Sequence, residues 1–204
     1  MEGHRLSELP MKARMLTAGG QLRRALSPES IACRVANECD TVRAIGALAI
    51  GGAHEVPPER RLTLLRAFAD DQHFAVREWA WIGFRESLGE ELLGLVSELS
   101  RWAEDSSERV RRYSCEVTRP RGVWCTHLRH LKADLSRGLP ILERLRSDPA
   151  RYVQLSVGNW LNDAARSDVR WTTELCSRWQ RMGGTPELIL KRGTRSLPGL
   201  ERYP

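Results

Sequence analysis

The chain has 204 residues, of which 41% are hydrophobic and 28% charged, so it is long enough for a folded core and too apolar for a disordered chain. No apolar run reaches the roughly 18–20 residues that a membrane helix needs, and residues 1–10 are too polar for a secretory signal. The formal net charge of +6 favours an anionic partner. We therefore expect a globular protein of the cytoplasm that does not bind membranes.

Arginine supplies most of the positive charge, because only Lys12, Lys132 and Lys191 among the 32 basic residues are lysines. A guanidinium group binds phosphate through two parallel hydrogen bonds and stacks on flat rings, so this bias is compatible with nucleic acid binding. A compositional habit of the source genome explains the bias equally well, and the sequence leaves both explanations open.

The five cysteines show no paired spacing of the kind that holds zinc, and their odd number argues against a disulfide framework. Cysteine is among the residue types most often buried, so we expect buried thiols. The sequence contains no cluster of metal ligands, and we expect neither a metal ion nor a cofactor. The cysteines are Cys33, Cys39, Cys115, Cys125 and Cys176.

Helix signals dominate the chain, and no segment has the alternating pattern of a strand. The pair Ser27-Pro28 is typical of a helix N-terminus, and the pair Pro57-Pro58 predicts the start of another helix. Apolar residues then recur at helical spacing from Leu62 to Ala69. The sequence therefore predicts an all-α protein.

A short pattern occurs three times: an aspartate, four residues and a valine, followed by about ten residues of helical character. We expect the aspartate to cap the second helix of a helix pair and the valine to begin its buried face. The copies are 34 and 43 residues apart, an interval typical of HEAT-like helical repeats. Coincidence is the alternative, since both residue types are common. The three copies run from Asp71 to Val76, from Asp105 to Val110 and from Asp148 to Val153.

These repeats predict a single helical-repeat domain over residues 1–192, with an all-α, HEAT-like-repeat solenoid fold. Residues 1–56 are only weakly patterned and form its N-terminal helices, while residues 57–182 hold three helix pairs and a following helix. Residues 193–204 contain two prolines and two glycines, a composition that predicts a loosely held C-terminal tail.

Arginine recurs on the second helices at two positions outside the buried stripe. Arg77 and Arg111 directly follow the valine, and Arg85 and Arg119 come eight residues later. In a solenoid the second helices lie side by side along one concave surface. These arginines therefore predict a basic concave face that a phosphate backbone could follow.

Two segments carry a family resemblance. The first, residues 110–124, has a Val-Arg-Arg helix, a glutamate, an Arg-Pro-Arg turn and a tryptophan. The second, residues 148–163, begins with Asp-Pro and ends with Asn-Trp-Leu-Asn-Asp, and residues 139–143 before it are similar too. Together they resemble linked signatures of the DNA alkylation repair enzymes of the AlkC/AlkD superfamily, specifically its AlkC-like branch. The resemblance is clearest over about residues 70–182.

The resemblance implies a monofunctional DNA glycosylase that acts as a monomer, without a cofactor, on double-stranded DNA carrying alkylated bases. Its substrates would be positively charged N3- or N7-alkylated purines. Cleavage of the glycosidic bond builds positive charge on the deoxyribose, and a fixed carboxylate stabilises that charge. Aromatic faces attract a cationic base.

The resemblance also implies roles for individual residues. Glu116 and Asp163 are the carboxylates of the two segments and the candidate catalytic residues. Trp124 is the first candidate for contact with the base or the sugar. Weaker candidates for that contact are Trp81, Trp160, Asn159 and Asn162. The candidate phosphate-binding residues are Arg77, Arg111, Arg112, Arg119 and Arg121.

Structural explanations stay open for the candidate acids. Glu116 can pair with Arg112 or Arg119 along its own helix, and Asp163 can pair with Arg166. Two other functions also stay open. One is a non-catalytic paralogue that binds bent or branched duplex DNA, and the other is a scaffold that binds proteins.

Overall fold

The computed structural model describes residues 6–33, 36–122 and 124–197, and every regular element within these ranges is helical, which confirms the all-α prediction. The α-helices of these ranges are α1 (Met11–Ala25), α2 (Pro28–Ala32), α3 (Asp40–Gly51), α4 (Pro58–Ala69), α5 (Phe74–Leu88), α6 (Val96–Trp102), α7 (Glu108–Val117), α8 (Arg129–Ala133), α9 (Leu139–Leu145), α10 (Arg151–Ala165), α11 (Val169–Met182) and α12 (Glu187–Thr194). The short 3-10 segments are Leu6–Glu8, Gly89–Leu95 and Leu135–Gly138. None of these helices combines the length and the apolar composition that crossing a membrane requires.

Residues 1–89 form one compact unit, in which α3 makes the most contacts. It packs against α1, α4 and α5 through small and apolar side chains such as the fully buried Ala47. α4 begins at Pro58, as the sequence predicts. The Ser27 hydroxyl accepts a hydrogen bond from the backbone N–H of Ser30, which confirms the predicted start of α2.

Residues 90–204 form the second compact unit, which contains α6 to α12. α10 is its central helix and packs against α7, α9, α11 and α12. Trp160 of α10 and Trp179 of α11 have no exposed surface and fill the core of this unit. A Cβ atom at Gly138 would lie 2.4 Å from Cζ2 of the Trp160 ring, so a residue without a side chain is required there.

The predicted domain and the predicted C-terminal tail do not coincide with the observed compact units and helices. The units 1–89 and 90–204 stand where the sequence predicts a single domain, and that domain assignment stays a prediction. α12 extends to Thr194, so the first residues of the predicted tail are helical. Residues 198–204 of that tail, and Val123 in the first family-like segment, lie outside the described ranges.

The three predicted repeats are present, but their aspartates do not cap the helices directly. Each aspartate lies two residues before the N-cap, and its Oδ1 accepts the backbone N–H of the N-cap residue. The distances are 2.7 Å for Asp71, 2.9 Å for Asp105 and 2.9 Å for Asp148. The carboxylate therefore shapes the turn before the helix, as short polar side chains commonly do. The valines of the pattern are fully buried, as predicted: Val76, Val110 and Val153.

The residue after each of these valines binds the loop of its own copy. Arg77 and Arg111 donate from Nη1 to the backbone oxygen of their own aspartate, at 2.7 and 2.9 Å. Gln154 of the third copy does the same through Nε2, at 2.9 Å. Because the same contact recurs with two residue types, this position has a structural role in the repeat.

A fourth copy lies within residues 1–56, where the sequence pattern is weak. Asn37, Val42 and Arg43 have the same spacing, with asparagine in place of aspartate, although Val42 is 42% exposed and the valines of the other copies are buried. Oδ1 of Asn37 accepts the N–H of Cys39 at 2.9 Å, and Nη1 of Arg43 donates to the Asn37 backbone oxygen at 2.7 Å. α3 is therefore the second helix of another helix pair.

Within each unit, an arginine of one copy also binds the aspartate of the next. Nε and Nη2 of Arg43 lie 2.6 and 3.0 Å from the two carboxylate oxygens of Asp71. Arg111 binds Asp148 in the same way, at 2.6 and 3.1 Å. Burial alone would raise the pKa of Asp71, but the hydrogen bonds from Arg43 and from a backbone N–H hold it below its usual value. We call these two bidentate pairs the repeat forks.

Candidate functional site

Two carboxylates meet where α7 packs against α10. Glu116 lies in the last turn of α7 and Asp163 in the last turn of α10, and Arg119 lies between them. Nη1 of Arg119 is 3.1 Å from Oε2 of Glu116. Its Nε and Nη2 are 2.9 and 2.8 Å from Oδ2 of Asp163. The structure thus joins the two predicted acids in what we call the acid–arginine cluster, made of Glu116, Arg119 and Asp163.

Both oxygens of Glu116 are occupied. Oε1 accepts a hydrogen bond from Oγ of Ser156 at 2.9 Å and lies 3.4 Å from Nη2 of Arg112, while Oε2 faces Arg119. The Glu116 side chain is only 3% exposed. Arg112 in turn lies over the ring of Tyr152, 4.5 Å from its centroid. Glu116 is therefore an internal acceptor that positions two arginines.

Asp163 differs from Glu116 because one of its oxygens is open. Both contacts from Arg119 go to Oδ2, and no group in the described ranges donates a hydrogen bond to Oδ1. Burial raises the pKa of Asp163, and the charge of Arg119 offsets this rise only in part. Burial would lower the pKa of Arg119, but the charges of Glu116 and Asp163 raise it, so the guanidinium group stays charged. Asp163 thus has one carboxylate oxygen for a bound group.

The predicted aromatic contacts comprise one surface residue and two core residues. Trp124, in the loop after α7, is 56% exposed. Trp160 is fully buried, and its Nε1 donates to the backbone oxygen of Thr118 at 3.0 Å. Trp81 is buried within the first unit, where its Nε1 donates to Glu78 at 3.1 Å. Burial therefore does not favour the predicted base or sugar contacts of Trp160 and Trp81, and Trp124 stays the first candidate.

The two predicted asparagines also differ. Asn162 is 1% exposed, and its Oδ1 accepts no hydrogen bond within the described ranges. It lies in the interior, which does not favour its predicted contact with a base or a sugar. Asn159 is partly exposed, and its Oδ1 accepts a hydrogen bond from Nε of Arg192 at 2.8 Å. Asn159 therefore positions an arginine of α12 one helical turn from Asp163.

All five predicted phosphate-binding arginines have partners within the chain. Two bind loop carbonyl groups and two bind Glu116, as described above. Arg121 donates to the backbone oxygen of Arg166 at 3.1 Å, at the end of α10, where a cation is favoured. Arg85, which extends the predicted row, is buried. Internal contacts therefore explain these residues, and the geometry does not favour the predicted row. The five are Arg77, Arg111, Arg112, Arg119 and Arg121.

The cysteines divide into buried and exposed thiols. Cys115 and Cys176 are buried as expected, and burial raises the pKa of each thiol to about 12. Cys33 and Cys39 are exposed, which corrects the expectation of buried thiols, and Cys125 is intermediate. Nowhere in the described part of the chain do three His, Cys, Asp or Glu side chains converge as a metal site would require.

Sequence analysis missed Ser156 and Arg192, which both lie beside the acid–arginine cluster. The helical spacing assigns Ser156 to the core, although its hydroxyl binds a carboxylate. Arg192 lies on α12, which no copy of the repeat pattern marks. The available signal was Gly158, because a glycine inside a helix often marks the close approach of another element.

Known proteins share this fold, although no protein-family model matches the chain. YhaZ, an uncharacterized protein of Bacillus subtilis (strain 168), is 35% identical over 103 residues. The alkylpurine DNA glycosylase AlkC of Pseudomonas fluorescens, bound to DNA containing an abasic site analog, is similar in structure with a TM-score of 0.79 and 24% identity. AlkD2 from Streptococcus mutans has a TM-score of 0.73, with 17% identity over 94% of this chain and 92% of that chain.

The chain corresponds to only part of two of these proteins. The YhaZ match covers 50% of this chain and 29% of that protein, and the AlkC match covers 94% of this chain and 54% of that chain. The AlkC-like branch and the basic concave face stay predictions. At these identities the structural similarity concerns the fold, and at that level the predicted resemblance is confirmed. The chain has the all-helical fold of the AlkC and AlkD2 structures.

Proposed function

We propose that this protein is a DNA repair glycosylase that acts as a monomer on duplex DNA. It hydrolyses the N-glycosidic bond of positively charged N3- or N7-alkylated purines. The shared fold supports a role on DNA, since AlkC is a glycosylase solved in a DNA complex. The open Oδ1 of Asp163, in a carboxylate that Arg119 holds by the other oxygen, carries the catalytic part of the proposal.

Asp163 is the proposed catalytic residue. The bond between C1′ and the purine nitrogen breaks, and its electron pair neutralises the cationic base as it leaves. The Asp163 carboxylate stabilises the positive charge that develops on the deoxyribose. A water molecule adds to C1′ and gives its proton to Asp163 or to solvent. Because water is the nucleophile, the reaction is monofunctional and needs no cofactor.

Glu116, which the sequence analysis selected as a second catalytic residue, takes a positioning role in this proposal. Both of its oxygens are occupied, and it holds Arg119 against Asp163. Arg119 fixes Oδ2 of Asp163 and leaves Oδ1 for the sugar. The exposed ring of Trp124 is the proposed contact for the cationic base.

Base release from methylated duplex DNA tests the proposal. The wild-type protein should release 3-methyladenine or 7-methylguanine, measured by chromatography of the liberated bases. Asp163→Asn should lower the rate at least about 100-fold, because a neutral amide does not stabilise the charged sugar. Glu174→Gln is the matched control, since Glu174 is an exposed acid of α11 whose partner is Arg170. Absence of release by the folded wild-type protein would remove the enzymatic proposal.

A DNA-binding protein without catalysis is the second candidate. Arg119 favours it, because a guanidinium group shared by both acids weakens their field at a sugar. Salt-dependent binding of duplex DNA that survives Asp163→Asn, without any base release, would identify this function.

A further inference from the structure

We propose that Arg192 binds a backbone phosphate of the DNA strand whose deoxyribose faces Asp163. The identity of the strand rests on the proposed function, whereas the site itself is built from contacts between α10 and α12. The proposal moves the phosphate contact from the arginines of the repeat pattern to a residue that the pattern does not contain.

The stem of Arg192 lies flat against α10. A Cβ atom at Gly158 would lie 2.7, 3.0 and 3.1 Å from Cβ, Cγ and Cδ of Arg192, so a larger residue there would collide with the stem. Farther along the side chain, Nε donates to Oδ1 of Asn159 at 2.8 Å. The guanidinium group is therefore oriented before a ligand binds, which reduces the entropy lost on binding.

The two terminal nitrogens of Arg192 have no hydrogen-bond acceptor in the described ranges. Its one hydrogen bond there is the Nε contact to Asn159. The residue is partly exposed, so these nitrogens can be reached from solvent. A planar group with two open N–H donors matches two oxygens of a phosphodiester.

The surroundings of Arg192 are positively charged. Arg151 and Arg195 are exposed, and Arg119 is already bound to the two carboxylates of the cluster. Burial and the charges of Arg195, Arg119 and Arg151 lower the pKa of Arg192, and the opposing charge of Glu116 offsets this only in part. An anion bound at the two open nitrogens would reduce the repulsion among these arginines. The site should therefore attract a polyanion such as DNA.

The position of Arg192 also suits the proposed strand. Its partner Asn159 lies four residues before Asp163 on α10, and residues at this spacing have Cβ atoms about 5–6 Å apart. The guanidinium group of Arg192 lies one hydrogen bond beyond Asn159. A strand held at Arg192 would therefore pass close to Asp163.

Binding of a fluorescently labelled, undamaged duplex at several salt concentrations tests the proposal by anisotropy. Arg192→Met keeps an apolar stem on Gly158 and removes the charge. It should weaken binding about tenfold or more, and it should reduce the slope of log affinity against log salt by about 0.9. Arg181→Met is the matched control, because Arg181 is an exposed arginine in the last turn of α11. It should change the affinity less than about twofold.

Asn159→Ala gives a second, independent variant. It removes the acceptor that orients Arg192 but keeps the charge, so it should weaken binding while leaving the salt slope unchanged. If Arg192→Met does not fold, judged by its melting temperature, Asn159→Ala carries the test. A change of slope as large as that expected for Arg192→Met would contradict its positioning role.

Each outcome separates this proposal from the proposed function. Equal effects of Arg192→Met and Arg181→Met would overturn the assignment of Arg192 and leave the glycosylase proposal intact. Binding that depends on Arg192, without base release, would support the phosphate site and remove the glycosylase. A wild-type protein that binds no duplex would overturn both.

Discussion

The two acids of the cluster differ at the oxygen that Arg119 does not contact, because Ser156 and Arg112 bind that oxygen in Glu116 and none of the described groups donates to it in Asp163. Arg119 contacts Glu116 through one nitrogen and a single oxygen of Asp163 through two. The spacing of the sequence predicts that the two acids lie on successive second helices, which the structure shows. It cannot predict that Arg119 comes between them, because Arg119 follows the end of α7 and its direction depends on the loop.

Loss of Glu116 should destabilise the protein more than loss of Asp163. Glu116→Ala removes the buried acceptor that Arg112 and Arg119 share, which should cost about 3 kcal/mol of unfolding free energy. Asp163→Asn keeps an oxygen that can accept from Arg119, so it should cost less than about 1 kcal/mol. Urea denaturation of the two variants measures the difference. Equal losses would show that Arg119 depends on both acids alike.

Acid should stop catalysis at a higher pH than an ordinary aspartate would require. Burial raises the pKa of Asp163 above the usual value of about 3.9, and the protonated carboxyl cannot stabilise the sugar. The base-release rate, corrected for spontaneous release from DNA alone, should therefore fall on the acid side with a midpoint above the usual pKa of an aspartate. A midpoint at or below the usual value would count against Asp163 as the catalytic carboxylate.

The same pKa shift affects stability in a definite direction. The folded protein binds the Asp163 proton more tightly than the unfolded chain does, because the pKa is raised in the fold. The contribution of this group to folding is therefore fully present below the unfolded pKa. It is lost as the pH rises through the raised folded pKa. Asp163→Asn removes this pH-dependent contribution.

At the scale of the helix, the apolar stripe predicts one buried face for each second helix, but the structure buries more than that face. Ile82 and Arg85 of α5 and Asn162 of α10 lie outside the predicted stripe, yet all three are buried. α10 has α7 and α12 as neighbours, and each neighbour covers a further face. The periodicity of one helix carries no information about its neighbours. For this reason the spacing places Asn162 outside the buried face, whereas Trp160 lies within the predicted stripe and is a candidate contact only through the family resemblance.

The repeat fork between Arg43 and Asp71 should show strong coupling. Both side chains are buried, and a double-mutant cycle with Arg43→Met and Asp71→Ala should give about 2 kcal/mol, since each single change leaves a buried charge without its partner. The control cycle uses Arg170 and Glu174, an exposed pair on α11 for which we expect no measurable coupling. Thermal or urea unfolding provides the energies. Similar couplings in the two cycles would contradict the structural role of the fork.

At the scale of the whole chain, local patterns predicted the helical class and the repeated unit. Both depend on residues close in sequence, as in the Asp-to-Val spacing. The copy at Asn37 was missed because asparagine stands where the other copies have aspartate, although it forms the same turn. Contacts between residues that are distant in sequence, such as Arg192 with Asn159, cannot be predicted from the spacing of residues along the chain. These contacts determine the surroundings of the candidate site.

The net charge of +6 does not by itself show which arginines can meet a partner. Arginines of the repeats bind carbonyl groups and acids of the chain itself. In the second unit, Arg151, Arg192 and Arg195 lie near one another beside the cluster, and their mutual repulsion is what an anion would relieve. Net charge thus indicates the class of partner, while the internal pairing of each arginine determines which residues can meet it.

The repeat forks also suggest how proteins of this type can change length. Each copy has an acceptor side chain at its start and a donor side chain six residues later. The donor is an arginine in three copies and the uncharged Gln154 in the copy at Asp148. An extra copy with an aspartate and an arginine, inserted between α7 and α10, would provide a new aspartate for Arg111 and a new arginine for Asp148. Within a unit, duplication of a whole copy would therefore preserve the pairing of charges that the repeat forks make, which gives such arrays a way to grow in evolution or by engineering.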